Sequence, residues 1–332
     1  MRHLNRPPKF PSVLPDGYHY TDEVVEFDPA IHLQLELPEH TLTLSDLGYD
    51  ASAIEKCPTD FAVSSAVRLL SAEGVRVMLD EARSLRKYAV NCERIENMVR
   101  GGTYQSRFLK SFCLCDEVTE FISDIFGAPV APHSMPLHLG HLNYAPDDLN
   151  RAVDKWHHDT LSLDYVLMLS DPNQLAGGDF QYFRGTRDEA KQIADSDQSI
   201  PEERAVSPEF PGAGYAIVLH GNMVVHRATK LTRPAERITL VNGYVPLDTT
   251  IDDVCRFPDL SLVDPHHVLF TEWARHKAWL SMGRLQTLVD EIPFTDNRQV
   301  LTQHLKDAIT EIETAISDIN NTEDASMIHY GD

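Results

Sequence analysis

The sequence predicts a mainly β protein with flanking helices, its strands folded as a jelly roll. Three observations predict it. Short apolar runs between residues 136 and 246 are separated by tight-turn signals such as Asp171-Pro172-Asn173, Gly177-Gly178 and Gly221-Asn222. Helical periodicity brackets those runs on both sides, and no internal repeat divides the 332 residues.

Residues 1–60 read as an N-terminal arm packed on the core, rich in Pro and acidic residues. Its one alternating run, Ile31 to Leu37, predicts a strand. Ser71 is placed to cap a helix with apolar residues at Val75, Val77, Met78, Ala82 and Leu85. A second helix is predicted from Asp116 to Phe126, with Gly127 just past its end. Strands are then expected at Pro136–Tyr144, Lys155–Ser170, Gly178–Arg184, Gly214–His220, Met223–Ala228 and Arg237–Pro246. The polar insertion from Thr186 to Pro211 is too long for a turn, so it is a surface loop or a lid over the barrel mouth. Helices return at Thr271–Leu288 and Asn297–Ile319, and the residues after them read as frayed. Residues 61–250 are thus the β core with its leading helices and 251–332 a C-terminal helical segment, within one domain overall.

The formal net charge of -22, from 29 basic and 51 acidic residues, repels polyanions and excludes nucleic acid and anionic membrane surfaces as partners. No stretch reaches the roughly 20 apolar residues that span a bilayer. The N-terminus lacks the apolar run of a secretory signal. Five cysteines without a C-x-x-C pair predict reduced thiols in a cytoplasmic protein. Cys113 and Cys115, beside Phe112 and Leu114, read as packing residues, not metal ligands.

Chemistry concentrates in Trp156-His157-His158-Asp159-Thr160. In an extended strand His157 and Asp159 share a face and His158 takes the other. One imidazole and one carboxylate are two thirds of the 2-His-1-carboxylate set that holds non-haem Fe(II). His226, about 70 residues on, is the candidate third ligand, brought over if two sheets face each other. Arg237 follows eleven residues later, where a guanidinium can grip the far carboxylate of a metal-chelating keto-acid. Thr239 points to the same side as Arg237.

This order of H-x-D, distant His and following Arg resembles the Fe(II)/2-oxoglutarate-dependent oxygenases, above all their phytanoyl-CoA-dioxygenase-like branch. The resemblance runs over residues 70–247, through the 70–85 helix, WHHDT, GGDFQYFRGT and HRATKLTRPAERITLVNGY. It implies a double-stranded β-helix, the jelly-roll variant of that family. It implies that His157, Asp159 and His226 bind Fe(II), that Arg237 with Thr239 holds 2-oxoglutarate, and that Asn143 is a further cosubstrate contact. The implied activity couples oxidative decarboxylation of 2-oxoglutarate by O2 to hydroxylation, desaturation or cyclisation of a small molecule. Asp159 stands where the family's halogenases carry a small residue. The acidic surface disfavours a CoA ester, leaving an amino acid or a specialised-metabolite intermediate as the expected substrate, acted on by a monomer or homodimer. A cupin-like metal-binding protein or non-redox metalloenzyme is the alternative, and it has no need of Arg237.

Rival readings weigh against single residues. His220 competes with His226, but positions 230 and 231 are Lys230 and Leu231, so no arginine follows it at the matching distance. Arg237 has a surface partner available in Glu236, with Arg233 its backup. Trp156 and Tyr165 read as core aromatics. His266, His267 and His276 lie outside the strands and read as surface residues.

Overall fold

The computed structural model describes residues 4–21, 24–322 and 327–331. Two antiparallel sheets form the body. The larger contains β1 (Leu33–Glu36), β2 (Thr41–Thr43), β3 (Phe61–Ser64), β4 (Val67–Leu70), β5 (Asn97–Val99), β6 (Val130–Pro132) and β7 (His141–Tyr144). β8 (Asp154–His157) belongs to the smaller sheet, and β9 (Leu163–Met168) returns to the larger. β10 (Phe180–Phe183) and β11 (Ala205–Val206) are in the smaller sheet, β12 (Tyr215–Leu219) in the larger, β13 (His226–Ala228) in the smaller and β14 (Ile238–Pro246) in the larger. The larger sheet runs β1-β4-β12-β9-β14-β7-β5 and the smaller β11-β10-β13-β8. Strands after residue 140 alternate between the sheets, apart from the short β11 that pairs with β10, the winding expected of a double-stranded β-helix.

Side-chain alternation explains why the larger sheet sits in the middle. On β12, Ala216 and Val218 join the core beneath the leading helices, while Ile217 and Leu219 pack toward the smaller sheet. On β14, Ile238 and Leu240 face the helices and Thr239 and Val241 face the cavity between the sheets, as does Arg237 just before the strand. The helices over the outer face are α1 (Ala72–Leu85), α2 (Arg107–Cys113) and α3 (Asp116–Phe126). Ser71 caps α1 by accepting from Gly74 N–H at 3.0 Å, and Val77, Met78, Ala82 and Leu85 are its buried stripe. Gly127 ends α3 in the left-handed region, φ 67°. Trp156 and Tyr165 are core residues, and Cys113 and Cys115 pack in the main core.

Gly74 tests this packing. A helix interior normally gains roughly 1 kcal/mol from Gly→Ala. Here a Cβ would run into the carbonyl of His32, so Gly74→Ala is expected to destabilise the chain by about 1–3 kcal/mol in denaturant unfolding.

Four expectations are corrected. Pro29–His32 is a helical turn, because Asp28 caps it at Ala30 N–H, and the strand begins only at Leu33. Pro136–His138 is a 3-10 turn, since Pro136 starts it without an N–H to lose, and pairing begins at His141. The 186–211 insertion is neither plain loop nor lid. Thr186 and Glu189 form a capping box for α4 (Arg187–Asp195), whose Ala190 packs with Ile200 on Trp156, Phe183 and Val225 behind the smaller sheet. The frayed tail is corrected in part: residues 323–326 and 332 lie outside the described residues, but 327–331 are packed, with Tyr330 buried. α5 (His266–Glu291) and α6 (Arg298–Asn320) form the C-terminal hairpin, Asn297 capping the latter. Among the described residues no helix is long and apolar enough to cross a membrane.

Candidate metal centre

β8 and β13 are hydrogen-bonded neighbours, with His157 directly opposite His226. The two imidazoles therefore meet because their strands pair within one sheet, not because two sheets face each other, which corrects the expected route to convergence. Their ring centroids are 4.2 Å apart. Asp159 lies just past the end of β8, held by its N–H to Gly221 O at 2.9 Å. Its Oδ1 is 3.4 Å from His157 Nε2 and its Oδ2 3.3 Å from His226 Nε2. One ligand atom from each of the three residues lies within 4.8 Å of the other two.

The far side of each ring fixes which nitrogen faces the centre. His157 Nδ1 is 2.7 Å from Lys155 O, and His226 Nδ1 is 2.9 Å from Val224 O. Each Nδ1–H donates to a carbonyl, so each Nε2 presents its lone pair, the tautomer a metal requires. Burial pushes His157 down to about 3 and also lowers His226, so both rings stay neutral. Burial opposes charge on Asp159 as well, the Arg94 guanidinium pulls the other way, and the carboxylate stays well below its usual range. Two neutral imidazoles and one anion fit a divalent cation in a 2-His-1-carboxylate set.

Arg237 is 2% exposed, lines the same cavity and donates through Nε to Gly178 O at 2.6 Å. Glu236 does not neutralise it, since that carboxylate pairs with Arg83 at 2.6 Å. Among the described residues no carboxylate lies within the 4.0 Å of an ion pair to Arg237, and burial lowers its pKa to about 10. Asp154 and Asp179 pull on it only from beyond ion-pair contact, so the buried guanidinium is left to be met directly by an anionic ligand. Thr239 pairs in register with Asn143, and both line the cavity. The Asn143 Oδ1 atom is buried without a partner.

Several residues here carried no sequence signal. Arg94 lies 2.9 Å from Asp154, whose carboxyl burial raises to about 7 against that guanidinium's pull. His141, two residues before Asn143, takes Arg100 Nη1 at Nδ1 (3.2 Å), which leaves its Nε2–H buried and unpartnered in the cavity. Asp164, fully buried, is raised well above the carboxylate range by burial and by Asp159. The segment 327–331 lies along the free edge of β8. Tyr330 N–H donates to Trp156 O (2.7 Å), Trp156 N–H donates to Gly331 O (3.0 Å), and Met327 walls the cavity. Only three-dimensional register brings these positions in.

The remaining histidines fall elsewhere. His158 lies past the end of β8, where strand alternation no longer applies, and it bonds Tyr330 Oη at 2.7 Å, away from the centre. His220 is bound through Nδ1 to Phe61 O and stands outside the three-residue centre. Among the described residues Arg233 reaches only Gln174 O. His266 and His267 are exposed, but His276 is buried, 1% exposed, between Ser134 Oγ (2.6 Å) and Asp253 Oδ2 (3.0 Å), which corrects its surface placement. With His133 and Cys255 it forms a second close group. There His133 Nδ1 accepts Met135 N–H at 3.1 Å, so its Nε2 carries the proton and faces Cys255 Sγ as a donor, which does not suit a metal ligand.

No family model and no curated protein sequence matches the chain. Among solved structures, the non-haem α-ketoglutarate-dependent epimerase SnoN from nogalamycin biosynthesis shares 15% identity over 59% of this chain and 84% of its own, at a TM-score of 0.41. HygX from Streptomyces hygroscopicus, with nickel and 2-oxoglutarate bound, shares 16% over 62% and 87%, at 0.39. The nickel complex of ThoJ, a non-haem monooxygenase, shares 13% over 86% and 96%, at 0.38. At such scores the functional reading stands on the site geometry instead.

Proposed function

We propose that this protein is an Fe(II)- and 2-oxoglutarate-dependent oxygenase of the phytanoyl-CoA-dioxygenase-like kind, coupling 2-oxoglutarate decarboxylation to C–H oxidation of a small molecule. One observation carries the reading: three convergent donor atoms share a cavity with a buried guanidinium that, among the described residues, no carboxylate contacts directly. His157, Asp159 and His226 would hold the iron. Bound Fe(II), with 2-oxoglutarate and O2, supplies the oxidising chemistry, releasing succinate and CO2.

The chain's own residues supply orientation. The Lys155 and Val224 carbonyls keep both Nε2 atoms unprotonated and aimed inward. Arg237, steadied by Gly178 O, binds the distal carboxylate of 2-oxoglutarate, with the Thr239 hydroxyl beside it and Asn143 opposite. Val166, Phe180, Val241, Leu260 and Met327 supply apolar wall to a cavity that Arg94, Arg100, His141 and Asp154 also line. The substrate class that suits this cavity in an acidic protein is an amino acid or a specialised-metabolite intermediate. The five unpaired cysteines suit a reducing, cytoplasmic setting.

Anaerobic titration tests the reading. Fe(II) and 2-oxoglutarate together are expected to give a visible charge-transfer absorption, and air with a reductant then yields succinate. Metal binding without that absorption would favour the cupin-like alternative.

A further inference from the structure

The C-terminal hairpin leaves one face of α6 without a partner. Ala308, Glu311 and Ala315 are buried against α5, anchored by Lys277 Nζ to Glu311 at 2.8 Å and Ser281 Oγ to Ala308 O at 2.8 Å. Elsewhere around the same helix Leu305, Ile309, Ile312 and Ile316 are 48%, 53%, 38% and 59% exposed. Their steps of four, three and four are the a/d spacing of a coiled-coil seam, whereas isolated surface apolar residues would show no such order. A seam of this kind is an incomplete core.

The charges beside it identify what completes it. Lys306 and Glu313 follow Leu305 and Ile312, at the positions that flank a seam on one side, and both are exposed. Among the described residues neither has an ion-pair partner. Consider a second copy of α6 turned end for end about a two-fold axis through the middle of the stripe. Leu305 then meets Ile316 of the second copy, and Ile309 meets Ile312. Between those two layers Lys306 of each copy falls beside Glu313 of the other, so both unpaired charges are matched twice. A parallel arrangement would instead set Lys306 and Glu313 against the partner's g positions, Leu301 and Ala308 in this sequence, and leave both charges unmatched. Apolar layers and charges agree on the same register, which is the self-complementarity a two-fold interface demands.

We propose that this face pairs with a second copy of the same chain, α6 against α6 in antiparallel register, making the protein a homodimer. The inference does not rest on the assignment of the metal centre, which lies between the sheets.

Sedimentation equilibrium on the full chain tests it, with circular dichroism and the Fe(II)/2-oxoglutarate absorption as controls for folding. Wild type is expected to sediment as a dimer at micromolar concentration. I309E combined with I312E should be monomeric with unchanged controls. K306E sets like charges together at both symmetric contacts and should weaken dimerisation by roughly tenfold. The double reversal, K306E with E313K, should restore it. A wild-type chain that stays monomeric at all concentrations would overturn the proposal. So would a dimer that survives I309E/I312E, or a charge reversal that the second reversal fails to rescue.

Discussion

Asp159→Asn and His226→Ala are each expected to abolish Fe(II)-dependent conversion of 2-oxoglutarate to succinate while the chain stays folded. Partners that merely orient a metal ligand cost roughly 10–100-fold when removed, so loss of a ligand itself should exceed about 100-fold in metal affinity. Asp159→Asn is the sharper of the two. It keeps the shape that fits between His157 and His226 but removes the anion that both rings face. Equilibrium metal binding by anaerobic dialysis measures it directly. His220→Ala serves as the comparison, because that ring is bound to Phe61 O and stands apart from the centre. Retention of wild-type iron affinity by Asp159→Asn would remove Asp159 from the ligand set.

Arg237→Met should move binding and stability in opposite directions. Truncating one member of a buried, hydrogen-bonded charge pair costs about 2–5 kcal/mol. At about 1.4 kcal/mol per decade, the variant should bind 2-oxoglutarate roughly 30- to several-thousand-fold more weakly. The apoprotein should respond the other way. Its guanidinium is buried with Asp154 and Asp179 acting on it only from beyond ion-pair contact, so an apolar side chain of similar length should stabilise the free chain by about 1–4 kcal/mol. Isothermal titration with 2-oxoglutarate and denaturant unfolding of the metal-free protein read the two effects separately. An Arg237 with only a structural role would show the reverse: unimpaired 2-oxoglutarate binding and a less stable chain.

Local chemistry explains which parts of this architecture could be read from the sequence. Ser71, Gly127 and Asn297 mark helix ends because capping is decided within a few residues. Alternation on β12 and β14 marks strands because both of their faces are buried against different layers. The H-x-D spacing and the later histidine and arginine were visible for a related reason: His157 and His226 lie on strands, and Asp159 and Arg237 lie within two residues of a strand end. Pairing partners were not visible. Nothing local states that β13 lies beside β8, so the expected route to the metal centre invoked facing sheets where strand neighbours do the work. Arg94, His141 and Asp164 were missed because an isolated charged or ring residue gains meaning only from what surrounds it. His276 was misplaced for a related reason. A histidine on a helix reads as solvated until Ser134 and Asp253, from other elements, are seen to enclose it.

The segment 327–331 has a consequence for solubility. β8 is the last strand of its sheet, and its outward backbone groups would offer an incoming chain a ready template for cross-strand growth. Tyr330 and Gly331 occupy that margin instead, with one hydrogen bond in each direction to Trp156. The same short segment that lends Met327 to the cavity wall therefore also shields the ligand-bearing strand from aggregation, so detaching it would endanger the protein's dispersal in water before any chemistry could be measured.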